Sequence, residues 1–170
     1  MNEAILFSER QKFRQWWMWL ILLLANGLML FAFCKQMAGG ATLESKPAGN
    51  GGLIFSVVLT LLVTFLISQI SLDTQVRKDG IYVRFFPFRL SFKQYSWTQI
   101  TRAYIREYNP LMEYGGWGMR YGFFGRGRAL NVVGNKGLQL EFTDGTKLLI
   151  GTQEPAQLEA VLRQLGRLTV

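Results

Sequence analysis

QWWMWLILLLANGLMLFAFC, residues 15–34, and GGLIFSVVLTLLVTFLISQISL, residues 51–72, carry no charged side chain, and their reading decides the class of this chain. Each is about as long as the roughly 20-residue α-helix that crosses a hydrocarbon core about 30 Å thick. The remainder of the chain, on the C-terminal side of both stretches, reads as one small β-rich domain. The order divides the chain into an N-terminal segment 1–14, a first span 15–34, a connector 35–50, a second span 51–72 and a soluble domain 73–170.

Flanking charge predicts the orientation. Arg10, Lys12 and Arg14 precede the first span, and Arg77 and Lys78 lie just beyond the second. The connector KQMAGGATLESKPAGN sets Lys35 and Lys46 against Glu44. Basic residues favour the cytoplasmic side, so both termini are expected in the cytoplasm of a cell membrane crossed twice. Trp16, Trp17 and Trp19 stand at the inner end of the first span, where an interfacial aromatic belt is expected. In the second span Ser56, Thr60, Thr64 and Ser68 recur every four residues and share one helix face. Small hydroxyl residues allow close helix approach. Packing beside Asn26 of the first span is the first use of such a stripe, and contact with a second copy is the other.

The chain has 170 residues, 19 of them basic and 11 acidic, for a net charge of +8. Residues 73–170 hold 14 basic and eight acidic residues, a net of +6. Ninety-eight residues suffice for one compact domain. There is no histidine, and Cys34 is the sole cysteine. That composition excludes Cys/His zinc sites, histidine-based triads and intrachain disulfides. No cofactor or metal is expected, and with no lysine- or arginine-rich run, nucleic acid is not an expected partner.

From Asp73 the pattern turns to short alternating runs. Thr74–Lys78 and Ile81–Phe86 flank Asp79-Gly80, a hairpin signal. Leu90–Tyr95, Ile100–Tyr108, Ala129–Val133, Leu138–Phe142 and Lys147–Ile150 read as further strands, divided by turns such as Gly134–Gly137 and Thr143-Asp144-Gly145. Glu154–Leu168 differs: Leu158, Val161, Leu162 and Leu165 lie at helical spacing, with Thr152 as a cap and Pro155 in the first turn. The expected fold is a two-helix transmembrane hairpin followed by an antiparallel barrel or sandwich with a C-terminal amphipathic helix.

That order over residues 73–168 is similar to a pleckstrin-homology-like domain, and with the two spans the chain resembles bacterial membrane-anchored proteins of that kind. The stretch GNKGLQLEFTDGTKLLIGTQEPAQLEA, residues 134–160, resembles their final hairpins and helix, and EYNPLMEYGGWGMR, residues 107–120, looks like a signature of an uncharacterised group. The resemblance implies a binding module and no particular activity. Phosphoinositide-binding members use a basic cluster around the first hairpin; here Arg77, Lys78 and Arg84 surround the short turn Asp79-Gly80.

EYGGWGMRYGFFGRGR, residues 113–128, is unlike the rest. It combines glycines, among them Gly115, Gly116, Gly118, Gly122 and Gly125, with Tyr114, Trp117, Tyr121, Phe123 and Phe124, and with Arg120, Arg126 and Arg128. One reading is an irregular hairpin whose aromatics fill a barrel end. The other is a contact surface, since aromatic and arginine side chains are enriched where proteins meet partners or membranes. Glu107 and Glu113 are expected to balance nearby arginines rather than act as an acid–base pair. The functional expectation is a non-enzymatic, membrane-tethered interaction module with a protein partner. The alternative is recognition of anionic lipid headgroups by Arg77, Lys78, Arg84 and Arg89 together with Arg120, Arg126 and Arg128.

Overall fold

The computed structural model describes residues 4–13, 15–38, 50–122 and 125–169. It divides the chain into two compact units, residues 14–69 and a second unit made of residues 1–13 together with 70–170. The fold is α+β, with a four-stranded antiparallel sheet and a five-stranded mixed sheet that do not close into a barrel.

The helical unit contains α1 (Trp16–Met37) and α2 (Asn50–Gln69). Both are long and apolar enough to cross a membrane. They differ from the expected spans at their ends: α1 runs on to Met37, and α2 stops at Gln69 because residues 71 and 72 already belong to a sheet. Connector residues 39–49 lie outside the described residues. The helices pack against each other, and Asn26 donates from Nδ2 across the pair to Thr64 Oγ1 at 2.8 Å while also reaching the Leu22 carbonyl at 2.7 Å. The other members of the stripe bond back to their own helix. Ser56 donates to the Gly52 carbonyl, Thr60 to Ser56 and Val57, and Ser68 to Phe65. This back-bonding gives each hydroxyl an acceptor within its own helix.

The mixed unit begins in a stretch whose sequence carries no strand signal. Residues 1–14 were expected to form a separate segment; the structure instead places β1 (Ile5–Lys12) at the edge of the first sheet, antiparallel to β2 (Ser71–Arg77), with Lys12 opposite Ser71 and Arg10 opposite Asp73. β3 (Gly80–Phe86) and β4 (Lys93–Ser96) complete the order β1-β2-β3-β4. Phe7, Glu9 and Gln11 of β1 point inward. Gln11 donates from Nε2 to the Gly151 carbonyl at 2.6 Å, and the Glu9 carboxylate accepts from Thr152 Oγ1 at 2.7 Å and from the Gln153 amide at 2.8 Å. Burial pushes the Glu9 carboxyl above its ordinary value, against those two hydrogen bonds. On the outer face Asp73 holds both Arg10 at 3.1 Å and Arg84 at 2.8 Å, tying three adjacent strands.

After a short 3-10 turn (Trp97–Gln99), the second sheet has the order β5-β8-β9-β7-β6, formed by β5 (Ile100–Glu107), β6 (Gly118–Tyr121), β7 (Arg128–Asn131), β8 (Lys136–Phe142) and β9 (Lys147–Gly151). The expectation of wholly antiparallel strands fails at one point, because β7 runs parallel to β9. The chain passes from β7 to β9 through β8, which pairs antiparallel on the far side of β9, so two reversals leave β9 running in the same direction as β7. The expected strand from Leu90 starts at Lys93 instead, after a turn through Pro87.

One core joins the sheets. It includes Phe7, Leu72, Val76, Ile81, Val83 and Phe85 from the first sheet and Leu130, Leu138, Leu140, Leu148 and Ile150 from the second. The C-terminal helix α4 (Pro155–Gln164) adds Leu158 and Leu162 and packs against β1, β5 and β8. Its N-cap is Glu154 rather than the expected Thr152, whose hydroxyl is committed to Glu9 and to the Glu154 amide, and it ends at Gln164, short of the expected Leu168. Beyond it, Thr169 bonds Ala103 on the β5 edge through both its amide and its hydroxyl.

A chain that replaces residues 14–69 with an Asn-Gly turn between Phe13 and Ile70 should fold and unfold in one cooperative thermal transition, because such a turn suits two already paired strand ends. The fragment 73–170, which lacks β1, should show no such transition; cooperative unfolding of that fragment contradicts the arrangement. In the helical unit, a double-mutant cycle with Asn26→Ala and Thr64→Ala in detergent should give a coupling of about 0.5–2 kcal/mol. Strictly additive effects would remove the interhelical bond from the account.

Candidate functional site

The segment 107–120 does a structural task that its unusual composition concealed. Asn109 caps the short helix α3 (Pro110–Tyr114), its Oδ1 accepting from the Leu111 and Met112 amides at 3.1 Å each, while the Asn109 amide donates to Glu113 at 2.9 Å. This reciprocal bonding resembles a capping box. Gly115 ends the helix at φ 69°, a left-handed conformation that glycine adopts without strain. The result sets Tyr108 and Tyr114 over Ala129 and Leu149 as a second small core. The Tyr108 hydroxyl accepts from Asn131 at 3.1 Å and the Tyr114 hydroxyl from Arg106 at 3.1 Å. Burial raises both phenols above their ordinary values. Glu113 pairs with Arg106 at 2.9 Å and with Arg126, and Glu107 pairs with Lys136 at 3.4 Å. Burial pushes the Glu113 carboxyl up, but hydrogen bonds from Arg106, the Asn109 amide and Arg126 outweigh it and hold the group below its usual value.

The aromatic residues of 113–128 are therefore split between two roles. Tyr114 is buried and Trp117 half-buried, its Nε1 donating to the Gly134 carbonyl at 3.3 Å. Tyr121 is 74% exposed. Phe123 and Phe124 lie outside the described residues. Arg120 is exposed and donates to the Trp117 carbonyl at 3.1 Å. Arg126 is held by Glu113, whereas Arg128 lies over the Tyr121 ring at 5.3 Å.

Arg84 and Arg77 of the first hairpin make separate local contacts. Arg84 is neutralised by Asp73 and stacks over Phe92 at 4.7 Å. Arg77 bonds Gln75 at 2.8 Å and lies 4.4 Å from the centre of the Tyr82 ring. Lys78 is exposed at the turn, and Arg89 is exposed in the loop after β3.

A different set of residues forms a cleft. An open cleft of about 420 Å³ lies between β4 and the second sheet, lined by Lys93 and Tyr95 of β4, Tyr121 and Arg128 of the β6–β7 hairpin, and Phe142, Thr146 and Lys147 of the β8–β9 hairpin. The rings of Tyr95 and Phe142 meet at 5.5 Å and form an apolar wall. Lys93 Nζ lies 4.8 Å from the centre of the Tyr95 ring, and Lys147 reaches Glu141 at 3.3 Å. Gly127 makes the cleft wall possible. Its φ is 78°, and a Cβ there would come within 2.2 Å of the Lys147 carbonyl, so the β6–β7 connection can lie flat against β9. A polar extension of the groove reaches Gln94, Gln99 and Asp144. Asp144 accepts from the Thr146 hydroxyl and amide, which lowers its carboxyl below the ordinary value. β4 is the terminal strand of its sheet, so one row of its backbone groups has no strand partner among the described residues.

Sequence reasoning found Tyr121 and Arg128 but missed Lys93, Tyr95, Phe142, Thr146 and Lys147. These come from two hairpins, β3–β4 and β8–β9, and each looks like an ordinary strand or turn residue in its own segment. Among the described residues no cluster of three or more histidine, cysteine, aspartate or glutamate side chains could hold a metal ion. Comparison with family models, with curated proteins and with solved structures finds no match to this chain.

Glu113→Gln should lower the unfolding free energy by about 1–3 kcal/mol near neutral pH, because two arginines lose their carboxylate. A carboxyl that titrates below its ordinary value in the fold stabilises the fold fully above its ordinary, unfolded-state value and loses that contribution as pH falls through the folded value. The difference between variant and parent should therefore shrink in acid; a gap that is constant or widens contradicts this assignment.

Proposed function

We propose that the chain is a membrane-tethered, non-enzymatic interaction module that takes an extended acidic segment of a protein partner into the cleft beside β4. The observation that carries this reading is the convergence of Lys93, Arg128 and Lys147 with Tyr95, Tyr121 and Phe142 around one open groove next to an unpaired strand edge. A peptide laid along such an edge gains backbone hydrogen bonds, and its alternate side chains enter the groove. Lys93 and Arg128, beside a Lys147 that is shared with Glu141, select acidic side chains, and the aromatic wall removes the peptide stem from water. The order of strands followed by a covering helix agrees with a pleckstrin-homology-like module, and that kinship belongs to the same proposal. The two apolar helices span the cytoplasmic membrane of a bacterial cell, with the basic flanks Arg10 and Lys12 and Arg77 and Lys78 placing the mixed unit in the cytoplasm.

The test uses the full chain in nanodiscs, panned against a displayed random-peptide library. Recovered peptides should be rich in aspartate and glutamate, and their binding should weaken with salt. The double variant Lys93→Glu/Arg128→Glu should weaken that binding at least about tenfold, equivalent to about 1.4 kcal/mol. Peptides without an acidic bias, or acidic peptides indifferent to the double variant, would overturn the reading.

A further inference from the structure

The same unit carries a second surface of different character, at the end where its chain continues into the helices. Phe13 and Ile70, which flank the paired residues Lys12 and Ser71, line an apolar hollow of about 280 Å³ together with Phe88, Trp117, Met119 and Arg120. Phe88 is 66% exposed, and Leu90, two residues on in the same loop, is 73% exposed. Exposed aromatic and aliphatic side chains collected at one edge mark a contact site rather than ordinary surface. The lining is made by segments far apart in sequence, the loop after β3 and the start of β6. The fold, and not a local hydrophobic run, assembles it.

Chain length identifies the occupant. One residue separates Gln69 of α2 from Ser71 of β2, and three separate Lys12 of β1 from Trp16 of α1. A residue extends the chain by at most about 3.3–3.6 Å, so Ser71 lies within about 7 Å of the end of α2 and Lys12 within about 14 Å of the start of α1. The polar headgroup layer on each side of the hydrocarbon core is about 5–8 Å thick. With the helices in the membrane, the short connection keeps Ser71 in or beside the headgroup layer. The composition of this edge suits that depth. Trp117 and Phe88 are residue types that settle at the interface, and Arg89 and Arg120 are long enough to reach phosphates while their stems stay on apolar surface.

We infer that the rim of Phe88, Leu90, Trp117 and Met119, flanked by Arg89 and Arg120, sits in the headgroup–acyl boundary of the bilayer and fixes how the mixed unit stands on the membrane. The occupant is lipid, and the contact is distinct from the cleft. A void of about 40 Å³ shares Lys93, Tyr95 and Arg128 with the cleft, and Met119 and the buried Phe85 with the hollow, so a domain oriented by its rim also holds its cleft at a set height. The inference rests on the membrane-tethered reading above.

The experiment uses the full chain with Cys34→Ser, reconstituted in vesicles, carrying one cysteine at a time labelled with an environment-sensitive fluorophore. Phe88→Cys and Leu90→Cys report on the rim, Asp144→Cys on the far hairpin, and Leu23→Cys on α1. Lipids brominated near the glycerol end should reduce emission from the labels at 88 and 90 roughly twofold or more, while the label at 144 stays unchanged and open to an aqueous quencher. Lipids brominated deep in the acyl chains should quench the label at 23. If the label at 23 is quenched but those at 88 and 90 behave like the one at 144, the rim stands in water and the inference fails while the tether survives. If the label at 23 is not quenched, the tether itself fails and the rim inference falls with it. Leu90→Cys alters a largely exposed side chain, so its result stands even where Phe88→Cys perturbs the loop.

Discussion

The pairing of residues 5–12 with residues 71–77 is the constraint on which the rest of this structure depends. It makes the two apolar helices an insertion within a β domain rather than a leader in front of one. Two chain connections then leave the domain side by side, at Lys12 and Ser71. β1 is secured at both sheets. Its backbone pairs with β2, and the inward Glu9 and Gln11 reach Gly151, Thr152 and Gln153 where β9 gives way to α4. A buried carboxylate is expensive unless it is hydrogen-bonded. Here that expense specifies one register, because a one-residue slip would turn Glu9 and Gln11 outward and bring Ser8 and Arg10 into the interior.

With one side sealed by β1 and α4, the sandwich has its remaining freedom on the opposite edge. α4 brings Leu158 and Leu162 into the shared core near β1, β5 and β8. Among the described residues, β4 and the β6–β7 hairpin have no such cover, and the open cleft lies there. α3 and its tyrosines protect the outer face of the second sheet, which explains why Ala129 and Leu149 are fully buried while lying outside the main core. The arginine-rich character of this region is largely structural: Arg106 and Arg126 converge on Glu113, and what remains for outside contacts is Arg120 and Arg128.

How much of this was legible in the sequence depends on whether the signal is periodic. The two helices were readable as unbroken apolar runs, and the first hairpin around Asp79-Gly80 and the C-terminal helix were readable because burial on one face leaves a repeat of apolar residues. β1 was not, because its inward positions after Phe7 are Glu9 and Gln11, polar residues whose partners lie about 140 positions away along the chain. The parallel pairing of β7 with β9 was also hidden, since strand direction is set by a crossover and leaves no mark in either strand. Of the site, Tyr121 and Arg128 were visible through the odd composition of their segment. Lys93, Tyr95, Phe142 and Lys147 became a site only when three hairpins met.

Native-state hydrogen exchange on the full chain in detergent tests the central claim most directly. If residues 5–12 form an integral strand, the β1 amides that face β2 exchange as slowly as those of β3, and they lose protection together with β2 as denaturant is added. Exchange of those amides at the rate of an unstructured segment, with β2 and β3 still protected, would contradict the account.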